Sequence, residues 1–227
     1  MCKPCGSTGT LLSSTAPRDE LVSERTRVAN RLHADLLVLA PGYGALIPNL
    51  VAARHLATVA RMLGRHASTR AELARSRLGR LRWIDREVAG LEARLGALVA
   101  ASGPSLPFLP GVGVIVAAKL LGESGDICQV RSSAAFAALA GASPIQASSG
   151  QTQRHRLNRG GNRQLNRALH LMALVQARTH PPARSYLERR RAEGKTWREG
   201  IRCLIRHLSD VVYRTMLHDL QASETHA

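Results

Sequence analysis

Leu81, Ile84, Val88, Leu91, Leu95 and Leu98 recur at alternating steps of three and four residues. That spacing places all six on one stripe of an α-helix and fits no strand, whose faces alternate every second residue. Thr69, followed three residues on by Glu72, makes a capping box that opens this helix, and Ser102-Gly103-Pro104-Ser105 ends it. Two roles suit the stripe: a coiled-coil seam joining two copies of the chain through residues 69–100, or a helix covered by one of its own predecessors. Those predecessors are also helical. Leu21, Val28, Leu32, Leu36 and Leu39 recur from Pro17 until Pro41-Gly42-Tyr43-Gly44 interrupts them, and a second helix is expected over 49–65. The chain is therefore expected to be all-α. Residues 1–16, rich in Ser, Thr and Gly, form a disordered start; 17–101 form a helical arm with a coiled-coil segment; 104–220 form a compact helical domain; and 221–227 form a disordered tail.

The second domain opens with Leu109-Pro110-Gly111-Val112-Gly113 before the apolar run Val114 to Leu121. Gly111 and Gly113 between an apolar residue and a helix fit the turn of a helix-hairpin-helix, where backbone N–H groups approach a phosphate and Lys119 adds charge. A tight turn before a buried Ala-rich helix fits the same letters. A dinucleotide fingerprint does not, because the third glycine and a preceding strand are missing. A short helix follows over 133–141.

Charge then narrows the partner. Lys and Arg number 32 against 16 Asp and Glu, a formal net charge of +16. From Ile127 to Leu187 there is no carboxylate at all, while Arg131, Arg154, Arg156, Arg159, Arg163, Arg167, Arg178 and Arg184 fall inside. A field of one sign concentrated in one segment calls for a polyanion. No run approaches the roughly 20 apolar residues of a membrane-spanning helix, so nucleic acid is the expected partner and no membrane is. Cys2 and Cys5 stand in the polar N-terminus without a second close pair, and Cys128 and Cys203 sit among apolar neighbours as core thiols. No zinc site, disulfide framework or signal peptide is indicated, and a reducing cytoplasm is the expected compartment.

The segment 142–151 reads as a polar loop carrying Ser148 and Ser149, and Arg154, His155, Arg156, Arg159 and Arg163 surround the Gly160-Gly161 turn that follows. Asn162 is placed to cap the next helix, with Arg163, Arg167, His170 and Arg178 toward one stripe and Leu165, Leu169 and Met172 toward another. Ser148 and Ser149 are either turn residues or a hydroxyl nucleophile, since guanidinium groups stabilise both an alkoxide and a pentavalent phosphorus transition state. His155 is near enough in sequence to be considered as the proton acceptor. Arg189-Arg190-Arg191 reads as a solvated face in preference to a DNA contact, and Trp197, in a chain with 3% aromatics, as a packing anchor in preference to a base-stacking platform, at the start of a last amphipathic helix through Leu204, Leu208, Val211, Val212 and Leu217.

Taken in order, Leu109-Pro110-Gly111-Val112-Gly113, Phe136-Ala137-Ala138-Leu139-Ala140-Gly141-Ala142-Ser143-Pro144, Ser148-Ser149-Gly150 and Asn158-Arg159-Gly160-Gly161-Asn162-Arg163-Gln164-Leu165-Asn166-Arg167-Ala168-Leu169 resemble the C-terminal domain of transposases of the insertion-sequence 110/116/902 family. Residues 18–98 resemble that family's helical linker. The resemblance implies DNA transposition by strand cleavage and transfer, with Ser149 as nucleophile by motif position and Ser148 as the alternative. It also implies a guide RNA encoded in the element and an N-terminal RuvC-like domain whose four acidic residues bind magnesium. The residues ahead of the helical region carry neither strands nor an acidic set, so magnesium is expected only with that other domain and no cofactor is expected in this chain. The expectation is a truncated fragment that binds nucleic acid without completing the reaction. A non-catalytic helix-hairpin-helix accessory protein for DNA is the alternative.

Overall fold

The computed structural model describes residues 7–146, 155–156, 158 and 160–225. Among them lie α1 (Ser7–Leu39), α2 (Ala53–Leu63), α3 (Thr69–Ser102), α4 (Val114–Ser124), α5 (Ser133–Leu139), β1 (Ile145–Gln146), β2 (His155–Arg156), α6 (Arg163–Thr179), α7 (Pro181–Ala192) and α8 (Trp197–Thr225). The fold is all-α, with one minimal antiparallel ladder in which Ile145 faces Arg156 and Gln146 faces His155. Helix extends further at both ends than composition suggested. α1 begins at Ser7 and runs through Pro17, and α8 continues to Thr225. Adding residues to an existing helix avoids the cost of nucleation, so weak helix formers such as Ser and Thr are carried along.

Ala16–Ala93 make one compact unit. Its core joins Leu32 and Leu36 of α1, Leu56, Val59 and Leu63 of α2, and Ala74, Leu78 and Leu81 of α3, with Tyr43 and Ile47 from the connection. α1 and α3 are antiparallel partners, as the ion pairs Arg18–Glu92, Arg25–Asp85, Arg80–Glu24 and Arg77–Asp35 run in opposite residue order along them. Pairs of this kind, three part-buried and Arg80–Glu24 exposed, add little beside apolar burial, and they fix register more than they stabilise. Of the six stripe residues, Leu81, Ile84 and Leu95 are buried within the chain and Val88, Leu91 and Leu98 are half-buried, and the stripe starts earlier, at Ala71, Ala74 and Leu78. The cap of α3 also differs from the reading. Ser68, not Thr69, accepts the Ala71 N–H on its hydroxyl, 3.3 Å away, which puts Glu72 one residue past the reciprocal position. Arg75 closes the other end of α2 by donating to the carbonyls of Leu63 and His66 at 2.9 and 3.0 Å.

The second unit holds Arg94 onward, together with the residues up to Thr15. The division falls inside α3, ahead of the expected break at 102–105, because Leu95 and Val99 of its last turns belong to the second core. That core gathers Leu120 of α4, Phe136 of α5, Leu165, Leu169 and Met172 of α6 and Leu204, Leu208 and Val212 of α8. α6 packs on α4, α7 and α8, and α8 packs on α5. Ile201, Leu204, Ile205, Leu208, Val212 and Met216 give α8 its buried stripe. Three polar contacts pin the connections: the Tyr213 hydroxyl donates to Val130 O at 2.8 Å, Ser105 N–H to Asp219 Oδ2 at 3.1 Å, and buried Gln176 Nε2 to Pro110 O at 2.7 Å.

Candidate nucleic-acid interface

The site is built where α5 ends and α6 begins. The Ser132 hydroxyl caps α5, accepting Ala135 N–H at 3.2 Å, and the helix terminates at Gly141, whose φ of +64° is a left-handed conformation that favours glycine. Gly161 lies against it so closely that a Cβ there would fall 2.2 Å from Gly141 N and 2.4 Å from its Cα. Two backbones thus cross in contact, and the Asn162 N–H donates to Leu139 O at 2.6 Å across the crossing. Asn162 caps α6 as its position suggested: Oδ1 accepts the N–H groups of Gln164 and Leu165 at 2.8 and 3.1 Å, while Nδ2 donates to Glu123 Oε2 at 2.7 Å. Asn166 Nδ2 completes the tie by donating to Ala140 O at 2.9 Å. From this junction rises the β1–β2 ladder that brackets residues 147–154.

Beside the junction, α6 and α8 border an open cleft of about 1140 Å³, roomier than the roughly 300–1000 Å³ of a typical small-molecule site. Arg163, Arg167 and His170 enter from α6, Arg198 and Arg202 from α8, and Asn158 and Gly161 from the crossing. Among the described residues no carboxylate lines it. Arg163, Arg167 and Arg198 are exposed and form no ion pair among the described residues; Arg202 stands 3.9 Å from Glu199. Several guanidinium groups around one cavity repel each other unless an anion is bound, and their planar forks suit phosphate oxygens.

Trp197 and Arg198 owe their place to a reciprocal cap. Thr196 N–H and its hydroxyl donate to Glu199 Oε2 at 2.9 and 2.7 Å, and Glu199 N–H returns to the Thr196 hydroxyl at 3.4 Å. The hydroxyl's hydrogen bond, more than any other cause, holds the Glu199 carboxyl below its usual pKa. Trp197, read from sequence as a packing anchor, is instead 58% exposed on the rim of the cleft. At spacings of four and seven residues Trp197 shares one side of α8 with the buried Ile201 and Leu204, and at the first position of the helix it is left exposed.

The residues singled out from sequence divide clearly. Arg163 and Arg167 come together in the cleft with His170, whereas Arg178 is exposed elsewhere on α6. Ser148, Ser149, Arg154 and Arg159 lie outside the described residues, and Arg156 stands with His155 on β2. Gly111, Gly113 and Lys119 are not in the cleft. Gly111, with φ of +81°, is pressed on α6, where a Cβ would meet Met172 O at 3.0 Å and Val175 Cβ at 3.2 Å. Its work is close packing. Gly113, before α4, is in open space, and Lys119 is buried and donates from Nζ to Gln164 Oε1 at 3.2 Å, so it does not present an ammonium to a phosphate. The element ahead of these glycines is a three-residue 3-10 turn, Leu106–Phe108, in place of the first helix of a helix-hairpin-helix. Cys128 is exposed rather than in the core, because its neighbour Ile127 is the residue turned inward, and Cys203 is half-buried. Sequence reasoning missed Arg198 and Arg202. The signal was there: Thr196 and Glu199 at capping-box spacing, then Arg198 and Arg202 one helical turn apart.

Among the described residues no three His, Cys, Asp or Glu side chains gather to hold a metal, and a donor set of arginines with Asn158 does not suit magnesium, which takes carboxylate and water oxygens. No helix among them is long and apolar enough to cross a membrane.

Fold and cleft together define a small helical domain with an arginine-lined groove between α6 and α8. Residues 105–188 match the sequence model of the Transposase IS116/IS110/IS902 family. The matched residues are those over which the ordered motifs resemble that family. It is 40% identical, over 132 residues and 57% of its length, to the insertion element IS110 uncharacterized 43.6 kDa protein of Streptomyces coelicolor. It is 36% identical, over 113 residues and 49% of its length, to the insertion element IS900 uncharacterized 42 kDa protein of Mycobacterium paratuberculosis. These matches span 32% and 28% of the two relatives.

Proposed function

We propose that this domain holds the phosphate backbone of DNA in the cleft between α6 and α8, and that it serves DNA transposition by presenting Ser149 to a phosphodiester beside that cleft. The observation that carries the reading is the set of Arg163, Arg167, Arg198 and Arg202 around one cleft, in the part of the chain just after the β1–β2 ladder that brackets residues 147–154. The family match and the insertion-element relatives support the same assignment.

In chemical terms, the Ser149 hydroxyl oxygen attacks phosphorus and loses its proton, for which His155 on β2 is the candidate acceptor. The Ser–O–P bond forms as the P–O bond to one strand end breaks, and that end leaves as a hydroxyl. A strand hydroxyl then attacks the phosphoserine, restores a phosphodiester and releases the serine. The positive cleft lowers the energy of the extra negative charge in both steps. The arginines supply no base and no metal, so cleavage is assigned to the combination of this domain with a magnesium-bearing RuvC-like domain, and backbone binding to this domain alone. A guide RNA belongs to the same combined assembly. A homo-oligomer through residues 69–100 would use what the fold leaves of that stripe, the half-buried Val88, Leu91 and Leu98.

The test is Ser149→Ala. DNA affinity should stay within about twofold, because the change removes no charge. The covalent protein–DNA adduct, formed with the unmodified domain when a RuvC-like partner domain and magnesium are supplied, should vanish. An adduct that persists, and is not moved to Ser148, would remove the serine from the chemistry.

A further inference from the structure

Trp197 lies between two basic clefts. One is the α6–α8 cleft already described; the other, about 670 Å³ between α7 and α8, is lined by Arg184, Arg191 and Lys195 with Glu188 and Thr196, and the same indole borders both. The ridge that carries it is fixed on each side. Gly194, with φ of +83°, turns the chain after α7, and Gly200 lets α8 press on Leu187, where a Cβ would come within 3.2 Å of that side chain. The Thr196–Glu199 cap then sets the first residue of α8 in place. A large apolar ring, mostly exposed, is thus held rigidly where a charged chain passing from one cleft to the other must cross it.

We infer that Trp197 is a stacking platform for an unpaired nucleobase, and that a single strand runs from the α6–α8 cleft over the indole into the α7–α8 cleft. This rests on the reading of the first cleft as a phosphate site. A strand that follows two lines of cations and meets one aromatic face between them has the arrangement by which proteins hold single strands without reading sequence. Duplex DNA does not meet the requirement, because its bases are already stacked on each other. The tryptophan lies beyond residues 105–188, so the family match does not include it.

The protein contains two tryptophans, so Trp83→Phe leaves Trp197 as the sole indole reporter without touching the site. Adding oligo(dT) or oligo(U) to this variant should quench its fluorescence, and adding a hairpin duplex of equal charge should not. Quenching by only one of the two oligomers supports the platform and identifies the strand as DNA or RNA. Trp197→Ala should weaken single-strand binding by about 5- to 100-fold at an unchanged salt slope, and Trp197→Tyr should restore most of it. Arg163→Ala, run alongside, should weaken both forms of nucleic acid and lower the slope. If Arg163→Ala behaves so while Trp197 is neither quenched nor needed, the platform is rejected and the phosphate cleft stands. If neither variant affects binding, both are rejected.

Discussion

Gly161 shows how much of the candidate site rests on one absent side chain. A methyl group there would fall on the backbone of Gly141 at 2.2 to 2.4 Å, and backbone cannot give way as a side-chain tip does. Gly161→Ala must therefore part the crossing, break the 2.6 Å bond from Asn162 N–H to Leu139 O, and loosen the cap of α6 that places Arg163. We expect a loss of about 1–3 kcal/mol in urea unfolding, with nucleic-acid binding weakened even where the protein stays folded. Unfolding and binding indistinguishable from the unmodified protein would mean that the two glycines do not meet. Gly160-Gly161 was legible in the sequence as a turn, and Asn162 as a cap. That Gly161 crosses Gly141 was not, because contact between residues twenty positions apart in the chain depends on the path of the loop between them. Gly111 illustrates the same limit from the other side: a glycine that packs on Met172 and Val175 reads, in sequence, like one that approaches a phosphate.

Helices were legible wherever their apolar stripes are bulky, and their ends wherever a cap is unambiguous. α6 was anticipated from Asn162 onward, and the α3 stripe from Leu81; Ala71 and Ala74 extend that stripe but are too small to announce a face. The ends of α3 and α8 show how cap signals compete. Thr69 with Glu72 looked like a capping box and is displaced by Ser68, one residue earlier, whereas Thr196 with Glu199 passed unnoticed and is the reciprocal pair. Thr196→Ala should cost roughly 1 kcal/mol by urea unfolding and free the indole of Trp197 to move, seen as lowered fluorescence anisotropy in the Trp83→Phe background. The pH dependence has a definite sign. Because the folded Glu199 pKa is lowered, the stability its ionised form contributes is complete above the ordinary glutamate value of 4.5 and is lost as pH falls below it through the folded value. In Glu199→Gln that acid-side loss should be smaller; an identical acid limb in the two proteins would contradict the cap.

Over the whole molecule the charge is what the sequence conveyed best and located least well. The carboxylate-free stretch from Ile127 to Leu187 pointed to a polyanion; among the described residues the cleft takes Arg163, Arg167 and His170 from that stretch as charged or titratable side chains, and completes itself with Arg198 and Arg202 from beyond it. Contiguity in sequence is a poor guide to a surface assembled by packing α6 on α8, since the pattern on each helix reports only its own buried face. The division into two compact units follows which core Leu95 and Val99 join, not the glycine and prolines that follow them. The most direct test compares two variants with equal loss of charge. One carries Arg163→Gln, Arg167→Gln and Arg198→Gln in the cleft; the other carries Arg54→Gln, Arg70→Gln and Arg86→Gln, exposed arginines of the first unit that form no ion pair among the described residues. In plots of log K for duplex DNA against log salt, the cleft variant should lose up to about 2.7 from the magnitude of the slope, near 0.9 for each phosphate contact removed, and the other should keep the slope of the unmodified protein. Equal slopes for the two variants would contradict a backbone held between α6 and α8.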